Sequence, residues 1–172
     1  MRPARRTLLA AALALPAVRA RAATERHVWL CNQAGEEVAV AYRAGQEHDP
    51  AAMARLRHLF RDLRAGEEGP LAPLLVDMLS LLQEGWRHER PILVTSGFRT
   101  RDTNLATEGA APGSLHLRGR AADIVVLGMP LEDLGGRAWL QAHRLGFMGV
   151  GLYPGCVHLD IGPQRVWSRS GR

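Results

Sequence analysis

Past its first two dozen residues the chain opens on alternation. "HVWLC" (27–31) and "VAVAYR" (38–43) flank the polar stretch "NQAGEE", whose Gly35 suits a tight turn, so the pair predicts a β-hairpin. The period then changes. Asp49 stands before Pro50 as an N-cap ahead of the favoured first helical residue. Met53, Leu56, Leu59, Phe60 and Leu63 recur at helical spacing, which predicts an amphipathic helix over 50–63. "AGEEGP" breaks it, and Leu71, Leu74, Leu75, Met78, Leu79 and Leu82 line the apolar side of a second helix. "PILVT" (91–95) reads as a buried strand and "SGFRTRDTN" as the loop leaving it. "AADIVVL" is a further strand, residues 131–145 a helix, and "FMGVGLY" a strand. "CVHLDI" and "RVWS" supply the last two strands. Strands crowd together late in the chain, so the expected class is α+β, an antiparallel sheet packed by helices on one face. No repeat or low-complexity linker divides residues 23–172, which read as one domain.

The first 22 residues stand apart from this pattern. Basic "MRPARR" precedes the apolar run Leu8–Val18, and "RARA" follows with Ala20 and Ala22 at small-residue cleavage positions, the layout of an export signal. Eleven apolar residues are too few to span a bilayer. "ARRTLLA" fits a twin-arginine leader, and equally a general secretory leader with two adjacent arginines. Either route places the remainder in the periplasm. Cys31 lies too far downstream for a lipid anchor.

Charge changes the picture only when divided the same way. The formal net charge is +5, but five of the 22 basic residues (Arg2, Arg5, Arg6, Arg19 and Arg21) lie in the leader with no acid beside them. The remainder carries 17 basic residues against 17 acidic ones, so composition argues against a nucleic-acid partner. Cys31 and Cys156 read as buried free thiols, although an oxidising compartment permits a disulfide.

The candidate chemistry sits in "SLHLRGRAAD" (114–123) and "VHLD" (157–160). Hydrolytic zinc sites use three protein ligands and keep a fourth position for water, and histidine and aspartate are suitable donors. Gly119 permits a sharp loop that folds His116 back over the strand bearing Asp123. If that strand pairs antiparallel with the one bearing His158, Asp123 and His158 come side by side. The spacing by itself is a weak signal, because a lone His before a strand is more often satisfied by a hydrogen bond.

Ser114, His116, Gly119, Ala121 and Asp123 form S-x-H-x-x-G-x-A-x-D, which resembles the signature of the D-Ala-D-Ala metallopeptidases, a group that also holds the hedgehog signalling domain. "VTSGFRTRDTN", "GSLHLRGRAADIVV" and "GVGLYPGCVHLDIG" followed by "RVW" resemble, in order, the murein endopeptidase K-like branch. The resemblance implies Zn2+ held by His116, Asp123 and His158, and hydrolysis of peptidoglycan peptide cross-links. It also implies an oxyanion-stabilising role for Arg99 in "SGFRT", where a fixed cation would share charge developing on the carbonyl oxygen. Ser114 is expected to bond a ligand or the substrate, or to cap its loop. Arg118 and Arg120 read as solvated. At the positions where many of these peptidases carry a Glu or a His as general base, this chain has Gly155 and Cys156. Asp160 shares a strand face with His158 and is a replacement base, or alternatively a partner that orients His158. Two rival expectations follow: a zinc-bearing module that binds murein or a partner without cutting it, and a carboxypeptidase releasing terminal D-Ala.

Overall fold

The computed structural model describes residues 24–168, so the export signal expected over 1–22 lies outside the described residues. The hairpin forms as β1 (Glu25–Asn32) and β2 (Glu37–Ala44), closed by an Asn32 side chain that accepts from the Ala34 and Glu36 amides. A two-residue strand, β3 (Glu47–His48), follows. Helix α1 (Pro50–Leu59) begins where Asp49 accepts the Ala51 and Ala52 amides at 2.7 and 3.0 Å. It ends four residues before the expected Leu63. The Phe60 carbonyl accepts from Phe98 instead, and buried Asp62 draws the chain into a turn by accepting the Arg64 and Ala65 amides. Helix α2 (Pro73–Glu84) buries Leu75, Met78, Leu79 and Leu82, whereas Leu74 is exposed.

Strand β4 (Ile92–Ser96) leads into a segment that departs from expectation. Starting inside the supposed loop and running two residues past it, Arg101–Ala106 form helix α3, capped by the Thr100 hydroxyl on the Thr103 amide. That stretch has no apolar periodicity, so its cap and its tertiary anchors decide it. Strand β5 (Ala121–Val125), helix α4 (Leu131–Leu145), β6 (Phe147–Tyr153), β7 (Cys156–Pro163) and β8 (Arg165–Ser168) complete the chain.

Among the described residues, eight strands form one sheet in the order β3-β2-β1-β4-β5-β7-β6-β8. It is mixed, which corrects the antiparallel expectation: β1 runs parallel to β4, and β6 parallel to β8. Both exceptions arise from where the chain re-enters the sheet. After β2, β3 and two helices it returns on the free side of β1, and after β7 it steps across β6 to that strand's outer edge.

The pleat divides the sheet into two faces with different work. Val28, Leu30, Ile92, Val94, Ala122, Ile124, Val150, Val157 and Leu159 belong to one buried core with residues of α1, α2 and α4. The alternate positions, including Asp123 on β5, Gly149 and Gly151 on β6, and His158 and Asp160 on β7, point to the other face. That face carries the polar residues, and the segment from Gly97 to Arg120 borders it.

Candidate metal centre

His116 lies in a single 3-10 turn, Leu115–Arg118, whose cap is the Ser114 hydroxyl accepting the His116 amide. Gly119 ends the turn in the left-handed region at φ 58°, where a side chain would be strained and a Cβ would run into the Pro70 carbonyl. The reversal returns the chain along β5 and leaves His116 only 1% exposed. β5 and β7 pair antiparallel with Asp123 directly opposite His158.

Three donor atoms therefore converge. His116 Nε2 stands 3.2 Å from His158 Nδ1 and 3.3 Å from Asp123 Oδ1, and the latter two are 2.8 Å apart. Ligands at zinc bond lengths in a tetrahedron stand about 3.3 Å from one another, so the spacing and the donor types fit a single small cation. The remaining polar atoms are also bound. His116 Nδ1 donates to the Gly97 carbonyl at 2.6 Å, which turns Nε2 toward the cluster. His158 directs Nε2 at Asp160 Oδ2, 3.2 Å away. Arg99 Nη2 donates to Asp123 Oδ2, while its Nε donates to Ser96 Oγ at 2.8 Å.

The electrostatics suit cation binding. Burial alone would raise the Asp123 carboxyl, but the His116 and His158 imidazoles beside it outweigh that and hold the group ionised far below the usual range. Burial also lowers the His116 imidazole, against the pull of Asp123, and so favours its neutral, ligand-competent form. Cys156 lines the same cleft. Burial, followed by the Asp123 charge, pushes its thiol up to about 11, and it lies outside the three-donor cluster. Both cysteines are free and half-buried.

These residues lie in a cleft of about 620 Å³. Arg99, Ser114 and Asp160, each singled out from the sequence, line it together with the three donors. Arg118 is exposed and outside it, and Arg120 is half-buried. Sequence reasoning gave no role to Tyr153, Arg165 and Trp167, which form another wall. A signal for the last two was present in the alternation of "RVW", which puts Arg165 and Trp167 on one strand face.

An α+β domain that sets two histidines and an aspartate at the floor of a cleft, with an arginine on the carboxylate, has the build of a metallopeptidase. The comparisons with known proteins agree with that class. Residues 20–167 match the Peptidase_M15_2 family model, described as peptidoglycan L,D-endopeptidase MepK, and the chain belongs to that family. Peptidoglycan L,D-endopeptidase MepK of Escherichia coli (strain K12) is 34% identical over 139 residues, covering 77% of this chain and 74% of the relative. The protein of that name in Shigella flexneri matches to the same extent. A probable peptidoglycan L,D-endopeptidase MepK of Haemophilus influenzae is 31% identical over 141 residues, covering 77% and 73%.

Proposed function

We propose that this protein is an exported, zinc-dependent endopeptidase that hydrolyses peptide cross-links of peptidoglycan, of the L,D type stated in its relatives' names. The observation that carries the reading is the His116–Asp123–His158 cluster on the floor of an open cleft, with the Arg99 guanidinium beside it. Bound zinc supplies a Lewis acid and an acidified water.

The chain's own groups do the rest. His116 offers Nε2 because Gly97 holds its other nitrogen, and His158 offers Nδ1 because Asp160 faces its Nε2. Arg99 is anchored by Ser96 and Asp123, so its cation is already in place for charge growing on the scissile carbonyl oxygen. Of the two roles open to Asp160, the orienting one has the better support. Its carboxylate lies on the side of the His158 ring away from the cluster, and it is fully buried and taken up by Arg165 and the Gly162 amide. Ser114 caps its turn rather than reaching into the cluster.

The test is incubation of the purified protein, with and without a chelator, with cross-linked muropeptides. Cleavage between the L- and D-centres of the cross-link that stops on chelation and returns with zinc is the expected result. Binding without cleavage would favour the non-catalytic module, and release of terminal D-Ala alone the carboxypeptidase. Export has its own check, since Arg5→Lys with Arg6→Lys stops translocation only if the twin-arginine route is used.

A further inference from the structure

Two glycines on β6 face the site, and each lies between one residue of β7 and one of β8. Gly149 is in register with Asp160 on one side and with Arg165 on the other. Gly151 is in register with His158 on one side and with Trp167 on the other. With no side chain between them, residues two strands apart touch across β6. Arg165 donates through Nη2 to Asp160 Oδ2 at 2.6 Å and through Nη1 to Oδ1 at 3.3 Å, a two-point clamp. Trp167 sits with its ring centroid 5.4 Å from that of His158, and its indole N–H donates to the Tyr153 hydroxyl at 3.0 Å. The Arg165 guanidinium lies 5.0 Å over the Trp167 ring, closing the circuit. A Cβ at Gly149 would collide with the Asp160 carboxylate and approach the Arg165 guanidinium, and one at Gly151 would meet the Trp167 ring at 2.7 Å.

We propose that Arg165 is a positioning residue of the metal centre: acting through Asp160 across the bare Gly149, it fixes the His158 ring so that Nδ1 faces His116 and Asp123. The inference rests on the metallopeptidase reading above and extends it to the far edge of the sheet. Asp160 is 0% exposed, and its oxygens are shared among Arg165, the Gly162 amide and His158 Nε2. Of these partners, Arg165 alone grips both oxygens, so it sets the plane of the carboxylate, and that plane sets where the imidazole N–H points. Arg165 is itself held, because its Nη1 also donates to the Pro163 carbonyl at 3.0 Å. This assigns a purpose to the unusual path of the last strand. Crossing β6 to pair in parallel brings Arg165 and Trp167 over the two glycines, which a simple hairpin on β7 would not do.

The experiment compares wild type with Arg165→Ala, Arg165→Lys and Gly149→Ala. Zinc affinity is measured by competition with a chromophoric chelator, and the geometry by the visible spectrum of the cobalt-loaded protein. Arg165→Ala should weaken zinc binding by about 10–100-fold and alter the cobalt spectrum, with turnover recovering at saturating zinc. Arg165→Lys keeps the charge but loses the fork and should fall between. Gly149→Ala should give the same loss with Arg165 intact, because it displaces Asp160 from the other side. Unchanged zinc affinity and cobalt spectrum in Arg165→Ala would overturn the proposal, and a raised KM alone would make Arg165 a substrate-binding group instead. Nitrogen NMR of the metal-free protein separates this failure from failure of the enzyme reading. The His158 ring, with Nδ1 2.8 Å from Asp123 and Nε2 3.2 Å from Asp160, should show altered ring-nitrogen shifts in Arg165→Ala, whether or not zinc binds. Unchanged shifts of the His158 ring nitrogens in the variant would also overturn the proposal.

Discussion

Single residues at the site differ in what their loss should remove. His116→Ala takes away one of three donors and should abolish retention of zinc, which elemental analysis of the purified variant checks. Arg99 touches Asp123 without belonging to the cluster, so its loss should act mainly on turnover. Arg99→Ala is expected to keep most of its zinc and to lower kcat by roughly 10²–10³-fold, the worth of one oxyanion partner. Near-normal kcat with a large loss of metal would show that Arg99 serves only to hold Asp123. Glu36 offers a contrast far from the cleft. Its carboxylate takes both Arg61 guanidinium nitrogens, at 2.6 and 2.9 Å, and the Asn32 amide at 2.7 Å. Arg61, then Asn32, hold it down at about 2. A carboxyl depressed on folding adds stability above its ordinary value, about 4.3, and loses it as pH falls toward the depressed one. Urea midpoints should therefore fall more steeply between pH 5 and pH 2 in wild type than in Glu36→Gln.

At the scale of elements, one buried carboxylate anchors the start of the segment from β4 to β5. Asp62, 3% exposed, accepts the Arg64 and Ala65 amides through Oδ1 and the Thr100 amide and hydroxyl through Oδ2. It thereby ties the end of α1 to the start of α3, next to Arg99. Asp62→Ala removes the acceptor of the Arg64, Ala65 and Thr100 donors and should cost about 1–3 kcal/mol in urea unfolding. Turnover should fall as well, because the Arg99 loop loses its anchor. Asp62→Asn keeps the shape and one acceptor oxygen, and should recover part of both. Equal stability in Asp62→Ala and wild type would mean that the turn is held by its backbone bonds alone.

For the whole molecule, the cluster fastens the 3-10 turn and β5, neighbours in sequence, to β7, which begins only at Cys156. A ligand bound only by the folded state stabilises it by mass action, about 2.7 kcal/mol at a hundredfold excess over its dissociation constant. Removing zinc with a chelator should therefore lower Tm by roughly 5–10 °C for a chain of this size. His116→Ala should show no such shift, and an identical shift in that variant would mean that the stabilising ion sits elsewhere.

Much of this protein follows from its sequence alone, because the signals involved are local. Alternation marked the hairpin, helical spacing marked α1 and α2, and Asp49–Pro50 marked the start of α1, while α4 and the late strands were read as such from the sequence too. The signature around His116 and Asp123 named a donor set that the fold gathers into one cluster, since a glycine turn and one strand pairing suffice to assemble it. Tertiary structure decided what depends on partners far along the chain. Helix α1 stops early because Asp62 serves Thr100, 38 residues away. Helix α3 exists without apolar periodicity because its ends are tied down. Asp160 sits on the outer side of the His158 ring, whereas strand alternation could say only that the two share a face. The mixed sheet is the clearest case. Short connections suggest hairpins, yet the final strand crosses β6, and only that crossing lets Arg165 reach Asp160 over Gly149. Periodicity specifies which face a residue takes, while the order of strands is set by how the whole apolar surface is buried, a property no short stretch contains.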